Sequence, residues 1–155
     1  MIYGIALLAH SWLRWLVLAL GVGLLTLALR GWRSGLPAWP TAAEQLCRGF
    51  LGALDTQMLL GLALYALLSP LPRAGLADLG GAMGDAVVRF YTIEHVIGMV
   101  VGIVVAHAGS ARAMKAEGAG RYRTLVTTQA LWLLITLASI PWPGLPYGRP
   151  LLRGP

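Results

Sequence analysis

Residues 2–29, IYGIALLAHSWLRWLVLALGVGLLTLAL, form an apolar run broken mainly by His10, Ser11 and Arg14, and ending against Arg30, Gly31, Trp32 and Arg33. The run exceeds the roughly 20 residues that cross a ~30 Å hydrocarbon core at ~1.5 Å rise per residue. Three more apolar runs follow, at about 50–68, 87–113 and 125–140. The second stops at Ser69-Pro70-Leu71-Pro72. The third has Asp85 as its predicted N-cap and closes at Arg112 and Lys115, and the last is ended by Pro141-Trp142-Pro143. The spacing predicts an all-α chain, an integral membrane four-helix bundle in one domain over 1–155. Residues 69–84 form an outer-face loop without a core of its own, and 141–155 an outer-face tail.

Composition points the same way. Of 155 residues, 57% are hydrophobic and 12% charged, with a mean hydropathy of +0.71, so a small water-soluble globule lacks the polar groups to cover its surface. The single cysteine, Cys47, excludes an internal disulfide framework, and no Cys-x-x-Cys-His run exists for covalent haem. A net charge of +6 raises the question of nucleic acid, but the basic residues sit between apolar runs rather than on one polar module. The expected surroundings are the lipid bilayer and other membrane subunits or a second copy, with no nucleic acid.

Lys and Arg set the orientation, because positively charged loops stay in the cytoplasm. The first connection carries Arg30, Arg33 and Arg48, and the third Arg112, Lys115, Arg121 and Arg123. The second has Arg73 and Arg89 beside Asp78 and Asp85, and the tail has Arg149 and Arg153. Both termini are expected on the periplasmic side of a bacterial inner membrane. Lacking a basic n-region, the first run reads as a retained span.

Ionisable residues inside spans cost about 2.5–3.5 kcal/mol each on insertion scales, so the exceptions carry the information. They are His10, Arg14, Asp55, Glu94, His95 and His107. Counted from Arg30 and Arg112 at ~1.5 Å per residue, His10 lies about 30 Å and His95 about 26 Å above the cytoplasmic edge, near one level. On the first helix Ala6, His10, Leu13, Arg14, Val17 and Gly21 form one stripe. On the third, His95, Gly98, Met99, Gly102, Ala106 and Gly109 form another.

Below His95, Gly98 and Gly102 leave a shallow trough, which admits either a neighbouring helix or a flat macrocycle. Two histidines at matched depth suit bis-imidazole haem b ligation, with Arg14, and Arg149 from the tail, as propionate partners. Plainer readings stand beside this: interfacial histidines snorkel to water or bond another helix, and glycine pairs pack helices. A copper-type site from His10, His95 and Met99 is a third option.

Glu94 points about 100° away from His95 and is free to pair with Arg89 or Arg14. His107 lies roughly 18 Å further toward the cytoplasm, at the depth of Asp55. The two either meet as an inner polar pair or find separate partners in backbone, a loop arginine and headgroups; a proton path, a quinone site or ion transport is the sharper use of such a pair. Most of the six tryptophans lie near predicted span ends, as interface anchors do, and none is assigned to chemistry. No phosphate loop, catalytic triad or paired-carboxylate arrangement is present, which leaves enzymatic activity undetermined.

Several patterns together carry a resemblance: His10-Ser11-Trp12-Leu13-Arg14-Trp15, Gln57 through Gly61 to Tyr65, Glu94-His95 with Met99, and the Pro-Trp-Pro to Gly-Arg-Pro ending. They are similar to short bacterial four-helix membrane proteins catalogued as cytochrome b or cytochrome b561-like, over nearly the whole chain. The resemblance implies haem b held by His10 and His95 and supplies no established reaction. The first expected function is electron transfer between a quinol and a partner, as a subunit or accessory of a larger complex. The chain departs from a two-haem pattern in having three histidines, enough for one bis-histidine haem. The competing expectation is a cofactor-free structural subunit of a respiratory or photosynthetic complex, packed through its glycine faces.

Overall fold

The computed structural model describes residues 1–35 and 39–152; Arg153 and the last two residues of the expected tail lie outside them. Its helices are α1 (Ile2–Arg33), α2 (Thr41–Ala63), α3 (Pro70–Ala77), α4 (Leu79–Gly84), α5 (Ala86–Arg89), α6 (His95–Lys115) and α7 (Gly118–Ala138). Two π-helical turns complete the longer rods: Leu64–Leu68 continues α2, and Phe90–Glu94 joins α5 to α6. No strand occurs among the described residues.

Three rods are long and apolar enough to cross a membrane, α1, Thr41–Leu68 and Ala86–Lys115, with mean hydropathies of 1.9, 1.5 and 1.6. The fourth expected run is helical but is not among these three. It begins at Gly118 rather than at 125, and Arg121, Arg123 and Gln129 dilute it. α2 likewise starts before the apolar run, at Thr41 after an extended Pro40. Its first turns are amphipathic: Ala43 and Cys47 are buried while Glu44 and Arg48 pair outside at 2.6 Å. Apolar content alone marks only the later part of such a helix.

The segment 69–84, expected as a loop, is folded into α3 and α4. Pro70 opens α3, where a missing N–H costs nothing, and Asp78 caps α4 by accepting from the Gly81 N–H at 2.9 Å. Small residues seat the pair: Pro72, Gly75 and Ala82 are buried, and Gly75 lies against Thr92, where a Cβ would collide. Asp85 caps α5 as the sequence predicts, accepting from Val87 and Val88.

The core forms where α7 presses large side chains into glycines of α1. Trp132 fills the space over Gly21 and Tyr122 that over Gly31; at either glycine a Cβ would overlap the ring. Phe50 of α2 meets Trp132 edge-on at 4.7 Å. Trp132 is 1% exposed, so this tryptophan is a core residue rather than an interface anchor. α7 also fills the glycine side of α6, with Ser139 against Gly98, Trp132 and Thr136 against Gly102, and Thr128 against Gly109. Small residues thus let backbones approach closely without a solvent-driven term.

Beyond α7 the chain turns at Gly144, φ +92°, and folds back, with the Arg149 N–H on the Pro141 carbonyl at 3.0 Å. Its end is tied to α1: Arg14 Nη2 and Trp15 Nε1 both donate to the Leu151 carbonyl, at 2.8 and 3.1 Å. The start of α1 and the tail therefore share one end of the molecule.

Candidate functional site

That end holds a cavity of about 140 Å³, lined mainly by apolar side chains of α1, α2, α6 and α7, with His10, Arg14, Gln57, His95 and Arg149 among its polar walls. Room for one water needs roughly 10–15 Å³ on the same measure and about 150 Å³ takes one benzene-sized molecule, so the space admits a small ring, and a macrocycle needs the surrounding side chains to part. α1 brings His10 and Arg14 to one face because they are four residues apart. α2 brings Gln57, Gly61 and Tyr65 by the same spacing. The π-helical turn Phe90–Glu94 precedes His95, and such turns concentrate at functional sites.

His10 and His95 meet here. Their ring centroids are 6.4 Å apart with planes at 72°. A metal at roughly 2 Å from one nitrogen of each ring separates the ring centres by roughly 6 Å. Hydrogen bonds fix which nitrogens are available. His95 Nδ1 lies 2.8 Å from the Ser139 carbonyl, which only accepts, so Nδ1 carries the proton and Nε2 the lone pair.

Gln57 holds His10 differently, at Nε2 itself. Its amide Nε2 donates to the His10 carbonyl at 3.0 Å, which orients the amide, and lies 3.3 Å from His10 Nε2. His10 Nε2 is thus an acceptor as well. Gly61 makes room for the ring, since a Cβ there would stand 3.1 Å from His10 Cε1.

Five buried side-chain polar atoms among the described residues lack a hydrogen-bond partner. Three of them, His10 Nδ1, Arg14 Nε and Gln57 Oε1, belong to residues lining this cavity. Buried polar groups are ordinarily satisfied, so this clustering marks a place where a ligand supplies the missing partners. Neither Arg14 nor Arg149 has a carboxylate partner among the described residues. Two unpaired guanidinium groups on one cavity favour an anionic group.

The tail roofs the cavity. Tyr147 stacks on Phe90, 3.7 Å between centroids and 6° between planes, and Tyr91 Oη donates to the Tyr147 carbonyl at 2.9 Å. Arg149 Nε donates to Tyr91 Oη at 3.0 Å and its guanidinium lies over that ring. Phe90 and Tyr91 in turn flank His95, at 5.8 and 6.3 Å.

Gly98 and Gly102, expected to cradle a macrocycle, do not line the cavity. Ser139 occupies the first and Trp132 with Thr136 the second, so the trough admits a helix. Met99 does line it. Among the described residues no three His, Cys, Asp or Glu side chains converge, so a cluster of those donors is not what the site offers. Glu94 points away and pairs with Arg89 at 2.7 Å. The spacing of Gln57, Gly61 and Tyr65 was legible as one helical face, but no residue type in it announced a role. Tyr91, Tyr147 and Ser139 gave no signal at all.

Asp55 and His107 form the inner pair, Nε2 to Oδ1 at 2.7 Å, joining α2 to α6 away from the cavity. Both side chains are about half exposed in the isolated chain.

Compared with protein-family models, curated proteins and solved structures, the chain matches none.

Proposed function

We propose that this chain is a membrane-embedded b-type cytochrome, with haem b between His10 and His95, taking part in electron transfer between a quinol and a partner. The observation that carries the reading is the pair of rings 6.4 Å apart, with the His95 lone pair left free on Nε2 by the bond to Ser139 and the His10 lone pair on Nε2 held only by the long contact to the Gln57 amide. Haem b, when bound, supplies reversible one-electron exchange. His95 is already oriented by Ser139. His10 would exchange the long contact to the Gln57 amide for the iron, while Gln57 keeps its bond to the His10 carbonyl. Arg14 and Arg149 would neutralise the propionates, and the apolar walls exclude water.

In this reading four helices span a bacterial inner membrane, with α7, more polar but sheltered by α1 and α6, as the fourth. Both ends of the chain face the periplasm, as the distribution of Lys and Arg supports. One haem near the outer face does not carry electrons across the bilayer, which makes the chain a subunit or accessory of a larger assembly.

A reduced-minus-oxidised optical spectrum of the protein purified in mild detergent decides it. Soret and alpha bands at about one haem per chain are expected; a fully loaded preparation without them overturns the assignment.

A further inference from the structure

The Asp55–His107 pair, which the electron-transfer reading does not use, sits on an outward face of the two least covered membrane-length rods. In the apolar window of Thr41–Leu68 only 11% of residues are buried, against 28% in α1. Asp55 and His107 are 48% and 46% exposed. Ionisable side chains in spans almost always face a bundle interior or a water-filled cavity, because lipid offers them no partner. A half-open pair at this depth therefore calls for cover by protein.

We propose that the cover is a second copy of this chain, related by a two-fold axis along the membrane normal. The first reason is depth. Because Asp55 and His107 bond each other, they lie at one level, and such an axis preserves level, so Asp55 of either copy can face His107 of the other. The second is an unused donor and acceptor. Oδ1 takes the bond from His107 Nε2, while among the described residues Oδ2 and His107 Nδ1 make none. As an ion pair the two groups keep a second N–H donor and a second carboxylate acceptor open, so two copies in that form satisfy each other reciprocally.

The third reason is room. One turn from Asp55 on α2, Gly52 has nothing within 4 Å of an added Cβ, so a helix can approach Asp55 closely. At its cytoplasmic end, Glu44 and Arg48 add another exposed pair of opposite sign, so two such faces do not repel.

The full chain in lipid nanodiscs and in native membranes tests this. Gly52→Cys, which has open space around it, should cross-link into dimers on mild oxidation. Wild type, whose Cys47 is buried, and Val22→Cys on the exposed side of α1 should not. Replacing Asp55 and His107 together by Leu should weaken association about tenfold in a lipid-dilution series read by energy transfer, with helical circular dichroism unchanged. A wild-type chain that stays monomeric at the highest protein density overturns the proposal. So does cross-linking at Val22→Cys rather than Gly52→Cys, an unweakened double variant, or cross-linking of Gly52→Cys to a different membrane protein only. None of these readouts depends on haem, so failure here and failure of the cytochrome reading are separate results.

Discussion

His95 Nδ1 lies 2.8 Å from the carbonyl oxygen of Ser139, 44 residues further along the chain. The residue after the last turn of α7 thereby sets the tautomer of a ring on α6 and leaves Nε2 for a ligand. A backbone acceptor cannot be removed by changing a side chain, so this end of the site is the more firmly defined one. His10, held by the side chain of Gln57, is the adjustable one.

The two histidines are expected to behave alike toward haem and the third differently. His10→Ala and His95→Ala should each lower haem per chain more than about tenfold. His107→Ala, away from the cavity, should leave haem content unchanged. Pyridine haemochrome analysis of the purified variants measures all three.

Gly61→Val should displace the His10 ring, because a Cβ at Gly61 already stands 3.1 Å from Cε1 and two further methyl groups add bulk beside it. Haem retention is expected to fall severalfold while the helical content seen by circular dichroism stays constant. Equal loading of Gly61→Val and wild type would show that the ring is not held where the structure places it.

Gly21→Ala is expected to cost about 1–3 kcal/mol, since its Cβ would overlap the buried Trp132 ring and a packed core yields poorly to overfilling. Gly4→Ala, with nothing nearby, should change stability by less than about 1 kcal/mol, in the stabilising direction. Thermal unfolding followed by circular dichroism compares them; a drop for Gly4→Ala equal to that of Gly21→Ala would contradict the packing described.

Arg149→Gln should loosen the roof. It removes the Nε bond to Tyr91 and the charge over that ring, leaving the Tyr147–Phe90 stack, the Tyr91 bond to the Tyr147 carbonyl and the ties of Leu151 to α1 to hold the segment. Amide hydrogen exchange between residues 144 and 151 is expected to accelerate about tenfold, with α7 unaffected. If the exchange rates do not move, Arg149 is not what fastens the tail.

The sequence by itself determined that the chain is helical and apolar enough for a membrane, because hydrophobic run length is a one-dimensional quantity. It also determined that His10 and Arg14 share a face, and that His10 and His95 stand at comparable heights, since rise and turn per residue are fixed. Asp85 was legible as a cap for the same local reason.

Only the tertiary structure decided what fills the trough of α6. Gly98 and Gly102 suit a helix or a flat ligand equally well, and the bulk of Trp132, Thr136 and Ser139 arriving from α7 settled it. Tertiary packing likewise chose between the two readings of Asp55 and His107, folded 69–84 into α3 and α4 against Thr92, and brought Tyr147 and Arg149 over the cavity. These contacts join residues tens of positions apart. Their partners are selected by shape and unsatisfied hydrogen bonds, quantities with no periodic trace along a single chain.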